Sequence, residues 1–412
     1  MSSSPQTPGT RKPMKTLCPD TFTSEFENLH KADGRNSTYL CFEVKTNTLP
    51  SPDFPDSGIF QNQDQPPGHH AELVFLAWFF KRLRLGECYQ VTWYISWSPC
   101  SRCADQVANF LKSHGTVRLR ILASRLYFSK KLENRRGLHR LSQARAEVKI
   151  MSLKDFEYCW ENFVNHEEKP FQPWMNLDKN SEDWNAELKN IHRSSESRSQ
   201  NGQFGSTLPP QEYGRGERNP RDLLTEGIFY QQFNNKHKLK KPYYKRKTYL
   251  CYELNGLQPV KGCFHYEEGH HAESQFIEEI GSMGLDQGRL YFITCYFTWS
   301  PCHSCARKLV SFVKGNSHLC LKIYTSRLYY HWIWKYIQGL QHLQNSDVPV
   351  TVMTDREFEY CWKNFVDNKG MPFEPWEKLD SYSKNIEERL KRILEKRSTP
   401  DDLNEVFRNL YL

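Results

Sequence analysis

The chain has 412 residues and a net charge of +8, from 56 basic and 48 acidic side chains. This length is too great for one ordinary hydrophobic core and suits two domains, while the mild basic excess permits attraction to polyanions without requiring it. The thirteen cysteines are an odd number, and a chain this long does not need a disulfide framework, which argues against a small secreted scaffold.

The composition of the N-terminal segment does not predict a targeting signal. Met1–Lys15 is polar and lacks the apolar stretch of a signal peptide. The apolar run Leu73–Phe80 is far too short to span a membrane. We therefore expect a cytoplasmic protein without membrane association, and we assign residues 1–19 to an N-terminal tail.

Apolar periodicity in the first half predicts alternating strands and helices. Tyr89–Trp97 alternates its apolar side chains as a strand does, whereas His70–Leu83 has them at helical spacing. Pro99 is expected at the favoured first position of a helix over Cys100–Lys112. Further strands are predicted at Thr38–Val44, Val117–Leu122 and Val148–Met151, and in the second half at Thr248–Leu254. Each half is therefore a mixed sheet layered with helices, of the α/β class.

The second half of the chain repeats the first. The matching segments are Val91–Cys100 with Ile293–Cys302, Ser124–Phe128 with Ser326–Tyr330, Phe156–Val164 with Phe358–Val366, and Pro170–Trp174 with Pro372–Trp376. Copies of this length are domains rather than solenoid repeats, and we place them at residues 20–192 and 223–412. Residues 193–222 are predicted to be a linker, because they are polar and cannot bury enough apolar surface to offset their ordering entropy.

Each copy contains the same group of metal-binding residue types. His70-Ala71-Glu72 precedes Pro99-Cys100-Ser101-Arg102-Cys103, and His271-Ala272-Glu273 precedes Pro301-Cys302-His303-Ser304-Cys305. One imidazole and two thiolates leave a fourth tetrahedral position on zinc for water, which the metal acidifies toward neutral pH. The glutamate is better placed to move a proton of that water than to bind the metal.

We therefore predict one zinc ion per domain and a catalytic glutamate beside each. The predicted zinc ligands are His70, Cys100 and Cys103 in the first domain, and His271, Cys302 and Cys305 in the second; the predicted catalytic residues are Glu72 and Glu273. This combination is the signature of zinc deaminases that attack C4 of cytosine. A structural zinc clip is the alternative, and it would need a fourth protein ligand such as His69 or His303.

At these motifs the chain resembles the APOBEC branch of polynucleotide cytidine deaminases. It is similar to the double-domain form of rodents and hoofed mammals, in which a Ser-Trp-Ser-Pro-Cys domain precedes a Thr-Trp-Ser-Pro-Cys domain. The resemblance covers residues 20–190 and 223–410. It implies a five-stranded sheet with about six helices per domain, action on single-stranded DNA, binding of RNA and ribonucleoprotein complexes, and packaging with retroviral nucleocapsid into virions. Viral antagonist proteins and a second copy of the chain are further partner classes to consider.

The resemblance also suggests which residues contact the target nucleotide. Trp97 and Trp299 correspond to the tryptophan that walls the cytosine pocket, although a plain core role is the alternative. Tyr127 and Tyr329 correspond to a tyrosine that packs on the target base. Thr38, Thr248 and Asn62 match nucleotide-contacting positions, and Arg125 is expected to support the adjacent loop or a phosphate.

The two copies differ at the asparagine. The second copy has Tyr266 in the register of Asn62, which favours the first domain as the catalyst. The alternative is that the C-terminal copy is the active one, as in several related two-domain proteins.

The second copy has a basic segment, residues 236–247, before its first strand. Its predicted nucleic-acid-binding residues are Lys236, Lys238, Lys240, Lys241, Tyr243, Tyr244, Lys245, Arg246 and Lys247. Cationic side chains attract phosphates and tyrosines stack on unpaired bases, whereas a solvated charge run is the alternative.

Together these observations predict a zinc-dependent deaminase that converts cytosine to uracil in single-stranded DNA and restricts retroviruses and retroelements. In this hypothesis the first domain is the catalyst and the second binds and packages nucleic acid. A protein that acts mainly by coating RNA or single-stranded DNA is a second hypothesis. Deamination of free cytidine is a third, which fits the metal motif but not the duplication or the basic segment.

Overall fold

The structure is a computed structural model that describes residues 11–30, 37–47, 55–62, 69–199, 223–236, 246–256 and 259–395. The chain divides into two compact units, Met1–Glu217 and Arg218–Leu412. None of the described helices combines the length and apolar character needed to cross a bilayer.

The first unit is a five-stranded sheet with helices. Its helices are α1 (Pro19–Phe26), α2 (Ala71–Phe80), α3 (Ser101–Ser113), α4 (Leu132–Gln143), α5 (Leu153–Phe163) and α6 (Leu177–Ser199), and its strands are β1 (Tyr39–Thr46), β2 (Ser57–Gln61), β3 (Tyr89–Trp97), β4 (Val117–Arg125) and β5 (Glu147–Ile150). The strand order is β2-β1-β3-β4-β5. Strand β1 is antiparallel to both of its neighbours, and β3, β4 and β5 are parallel.

The second unit repeats this arrangement. Its helices are α7 (Glu226–Gln232), α8 (Ala272–Ser282), α9 (His303–Gly315), α10 (Trp334–Asn345), α11 (Asp355–Phe365) and α12 (Leu379–Glu395). Its strands are β6 (Leu224–Thr225), β7 (Tyr249–Asn255), β8 (Val260–His265), β9 (Tyr291–Phe297), β10 (Leu319–Thr325), β11 (Val350–Val352) and β12 (Val366–Asp367). The main sheet has the order β11-β10-β9-β7-β8, and β6 pairs with β12. The predicted fold class, two α/β domains with a five-stranded mixed sheet each, is confirmed.

Helix α2 places the first predicted metal ligands beside the core of its unit. Every residue of α2 is buried, so this uniformly apolar helix is a core element rather than a surface one. Helix α3 is amphipathic and buries the face that contains Cys103, Ala104, Val107 and Leu111. The parallel strands β3 and β4 end near the first turns of these helices, which is where ligand sites form in such sheets.

Three predicted boundaries differ from the structure. The core begins before residue 20, because Met14 exchanges backbone hydrogen bonds with Ile59, and Leu17 lies in the core beside Val164. Helix α6 continues to Ser199, past the start of the predicted linker, whose residues 200–222 lie outside the described residues. Pro99 is not the first helical residue: Cys100 is the N-cap of α3, because its extended backbone leaves the first helical position to Ser101.

Candidate metal centre and substrate pocket

The three predicted ligands of each domain come together at two helix N-termini. His70 is the N-cap of α2 and Cys100 the N-cap of α3, while Cys103 lies one turn further along α3. In the second domain His271 and Cys302 are the N-caps of α8 and α9. Helix N-termini carry unpaired N–H groups and a partial positive charge, which favour ionised cysteine.

The distances within each cluster fit tetrahedral zinc. The Nδ1 atom of His70 lies 3.6 Å from Sγ of Cys100 and 3.3 Å from Sγ of Cys103. The corresponding distances from His271 are 3.9 Å to Cys302 and 3.3 Å to Cys305. Bonds of about 2.0–2.1 Å to nitrogen and about 2.3 Å to sulfur at tetrahedral angles separate the two ligand atoms by about 3.6 Å. The residues therefore fit the metal.

A fourth protein ligand is not found among the described residues. The groups that could hold a metal ion consist of His70, Cys100 and Cys103 in one domain, and of their three counterparts in the other. Neither His69 nor His303 belongs to them. The first of these is half-buried, and burial lowers its pKa. The structural zinc clip is thus disfavoured, because each cluster leaves one tetrahedral position open.

A buried glutamate lies beside each cluster. Glu72 is only 2% exposed and Glu273 only 3%. Burial raises the pKa of Glu72 to about 7 and also raises that of Glu273. Atom Oε2 of Glu72 has no hydrogen-bond partner within the described part of the chain. A buried carboxyl group whose pKa is near neutral and which has a spare oxygen is suited to accept and return a proton.

The predicted pocket aromatics lie in contact at the ends of parallel strands. Trp97 and Tyr127 pack edge to face with ring centroids 6.2 Å apart, and Trp299 and Tyr329 do so at 6.3 Å. All four rings are partly exposed. The two tryptophans are therefore not simply buried core residues, which was the alternative to a pocket role. Partly exposed rings beside a metal cluster offer a surface on which a base can stack.

Comparison with known proteins supports the same assignment. A family model described as APOBEC3, cytosine deaminase domain, matches residues 15–192, and one described as APOBEC3H matches residues 242–374. The mouse (Mus musculus) DNA dC->dU-editing enzyme APOBEC-3 is 41% identical over 411 residues, which cover 95% of this chain and 91% of that protein. The chain belongs to the APOBEC3 family.

Further relatives in this family cover both domains. The rat (Rattus norvegicus) DNA dC->dU-editing enzyme APOBEC3 is 41% identical over 410 residues, covering 95% of this chain and 94% of its own. The DNA dC->dU-editing enzyme APOBEC-3G of Lagothrix lagotricha is 35% identical over 409 residues, covering 94% of this chain and 98% of its own. Both predicted domains therefore lie within the compared length.

Within this APOBEC3 chain, Arg125 is a buried support rather than a substrate contact. Its side chain is fully buried, and its guanidinium donates to the backbone carbonyls of Glu25 and Glu27 at the end of α1. The same guanidinium lies 4.1 Å from the ring centroid of Trp97. Of the two predicted roles, these contacts favour structural support over phosphate binding, although the supported element is the end of α1 rather than the adjacent loop. Arg327 repeats these contacts on Trp299.

The two domains differ where the sequence places Asn62 and Tyr266. The Thr38 N–H donates to Oδ1 of Asn62 at 2.8 Å, and the Asn62 N–H donates to the Thr38 carbonyl at 3.0 Å. In the second domain the Tyr266 N–H makes the equivalent bond to the Thr248 carbonyl at 2.8 Å. The ring of Tyr266 packs edge to face on His271, with centroids 5.5 Å apart. An aromatic ring thus covers a predicted metal ligand where the first domain has an amide.

Asn134 is a site residue that the sequence analysis missed. It is buried on α4, where it accepts a hydrogen bond from the N–H of Ser101 at 2.9 Å and donates one to the carbonyl of Tyr127 at 3.2 Å. No local pattern marks it, because its bonding partners precede it by many residues.

Most of the basic segment lies outside the described residues. The predicted binding residues in that part are Lys238, Lys240, Lys241, Tyr243, Tyr244 and Lys245. At its two ends, Arg246 donates to Oδ1 of Asn234 and to the carbonyl of Lys236, while Lys247 is exposed. Arg246 therefore joins the ends of the segment, and Lys247 remains accessible to a phosphate.

Proposed function

We propose that the first domain is a zinc-dependent deaminase that converts cytosine to uracil in single-stranded DNA. The observation that carries the proposal is the open three-ligand cluster of His70, Cys100 and Cys103 with buried Glu72 beside it. The match of residues 15–192 to a cytosine deaminase domain supports it. So do the relatives named as DNA dC->dU-editing enzymes.

The chemistry follows from the positions of these side chains. When bound, zinc would supply the acidification of a water molecule to a pKa near neutral. Glu72 accepts one proton from the water molecule that attacks C4 of cytosine and passes this proton to the ring nitrogen. It then takes the second proton from the new C4 hydroxyl group and passes it to the amine, which leaves as ammonia, so that cytosine and water give uracil and ammonia. Trp97 and Tyr127 hold the base against this carboxyl group.

We infer that the second domain serves nucleic-acid binding more than catalysis. It keeps the three ligands and Glu273, yet Tyr266 packs on His271 where the first domain has Asn62. Its basic segment adds cationic and aromatic side chains in front of β7. Such a segment attracts the backbone of RNA or single-stranded DNA and stacks on unpaired bases.

Uracil formation on a single-stranded oligonucleotide, measured for Glu72→Gln and Glu273→Gln in the zinc-loaded full chain, tests this division. We expect Glu72→Gln to lose activity by a factor of roughly a hundred or more, as for loss of a general acid–base group, and Glu273→Gln to keep most of it. The reverse result would make the C-terminal domain the catalyst. Absence of uracil formation by the zinc-loaded wild-type chain would leave a nucleic-acid-coating protein.

The biological role that fits this proposal is restriction of retroviruses and retroelements from the cytoplasm, through RNA-dependent packaging into virions. Variants that replace Lys236 and Lys247 with Ala should be packaged into virions in smaller amounts. Their RNA affinity should also depend less steeply on salt concentration, since each lost phosphate contact reduces the slope of log affinity against log salt. Fluorescence anisotropy with labelled RNA at several salt concentrations measures this. Competition by free cytidine that matches competition by the oligonucleotide would instead indicate a mononucleotide deaminase.

A further inference from the structure

Asn134 connects the metal-bearing helix to the turn that carries Tyr127. The side chain is 4% exposed. Its oxygen accepts from the N–H of Ser101 at 2.9 Å, and its amide donates to the carbonyls of Tyr127 at 3.2 Å and Phe128 at 3.4 Å. One buried amide thus makes three hydrogen bonds to two separate parts of the site.

The helix end of this connection lies directly beside the metal cluster. Ser101 is the first residue of α3, directly after Cys100 and two residues before Cys103. The first N–H groups of a helix have no partner within the helix and need one from elsewhere. By accepting from Ser101, the amide fixes the first turn of the helix that carries both sulfur ligands.

The other end of the connection is a turn that needs support. Phe128 has a φ of 40°, in the left-handed region that a side chain disfavours. The N–H of Tyr127 donates to Oγ of Ser98 at 2.9 Å, which is a further hydrogen bond to this turn. The hydroxyl and the buried amide therefore hold the turn between them, and the Tyr127 ring is placed beside Trp97.

Helix α4 is itself anchored against α3, so the amide has little freedom to shift. Gly137 lies one turn after Asn134, and a Cβ atom there would come within 3.0 Å of Cα of Ser101. A side chain at this position would require its neighbours on α3 to move by a few tenths of an ångström.

The second domain makes the corresponding connection differently. Tyr336 stands at the matching place on α10, and its ring packs on Tyr329 at 5.2 Å and on Tyr330 at 5.7 Å. The turn has nearly the same strain, with a φ of 39° at Tyr330. Ring packing holds this turn, whereas hydrogen bonds from an amide hold the first.

We propose that Asn134 is a positioning residue that sets the separation between the metal ligands and the Tyr127 ring, and so determines how a cytosine is presented to the centre. The proposal rests on the proposed function of the first domain. The amide acts through Ser101 and Tyr127, and it touches neither the metal nor the base.

Steady-state deamination by the zinc-loaded full chain, compared between wild type, Asn134→Asp and Asn134→Leu, tests the proposal. Asp keeps an acceptor for Ser101 but, when ionised, cannot donate to the two carbonyls. We expect it to raise KM roughly tenfold, equivalent to one or two neutral hydrogen bonds, with kcat nearly unchanged. Leu loses both connections, and should raise KM and also lower kcat. Gln143→Leu, at the exposed end of the same helix, is the control and should change neither constant.

The visible spectrum of the cobalt-substituted full chain gives a readout that is independent of activity. Asn134→Asp should keep the wild-type cobalt spectrum and Asn134→Leu should shift it, because only the second variant frees the first turn of α3. Wild-type KM, kcat and spectra in both variants would refute the positioning role. Failure of the proposed function would be recognised separately, because the Glu72→Gln variant would then keep wild-type activity. The cobalt spectra would still test the role of Asn134 in that case.

Discussion

Replacing Arg125 tests whether this buried cation supports the pocket wall or binds DNA. The variant Arg125→Met keeps the length of the side chain but removes two hydrogen bonds to the carbonyls of Glu25 and Glu27. Hydrogen bonds from charged donors contribute about 1.5–3 kcal/mol each. Removal of the guanidinium also removes its desolvation cost. We therefore expect a net loss of roughly 2–4 kcal/mol of stability.

Two measurements distinguish the roles. In urea denaturation of the zinc-loaded chain, Arg125→Met should lower the free energy of unfolding of the first domain. Arg327→Met should lower that of the second domain in the same way. Salt-dependent binding of a single-stranded oligonucleotide should keep its slope, since a fully buried guanidinium has no access to a phosphate. A slope reduced by about 0.7, the value for one phosphate contact on a single strand, together with unchanged stability would refute the supporting role.

Further outcomes follow from other buried groups. The side chain of Asn28 makes hydrogen bonds to the indole of Trp174 and to two groups on α6. Asn28→Ala should therefore lower the free energy of unfolding, measured by calorimetry, by roughly 2–4 kcal/mol. A loss below about 0.5 kcal/mol would contradict this network. Gly137→Ala should push α4 away from Ser101, with a stability cost of about 1–3 kcal/mol from overpacking. It should also weaken zinc binding, measured by competition with a chelator. Unchanged zinc affinity would contradict the close packing of α4 on α3. In metal-free protein, burial raises the pKa of Glu72 from 4.5 to about 7, so stability is lost as pH rises through this interval. Glu72→Gln should then be roughly 3 kcal/mol more stable than wild type at pH 8 and equal to it at pH 4 in urea titrations, whereas a difference independent of pH would disprove this cause.

The parts of the site that the sequence could predict are those encoded by neighbouring residues. His70 and Glu72 share one helical turn, and Cys100 and Cys103 share another, so short spacings reveal both groups. The strand that ends at Trp97 is also predictable, because apolar residues alternate through Val91, Trp93, Ile95 and Trp97.

The parts that the sequence could not reveal depend on contacts between distant segments. Arg125 lies beside a predicted pocket residue, and only the folded chain shows that it points to the carbonyls of α1. Asn134 lies in an ordinary polar helix, and its role arises from the close approach of α4 to α3. Leu17 lies in the predicted tail, and only the folded chain shows its pairing with Val164 at the other end of the domain.

The measurement that tests the central claim most directly is X-ray absorption at the zinc edge of the full-length protein, combined with metal analysis. The account predicts two zinc ions per chain, each with two sulfur ligands, one imidazole nitrogen and one oxygen from water. A second imidazole or a third sulfur on the metal in both domains would fill the open position, and it would contradict the hydrolytic centre on which the proposed deaminase depends.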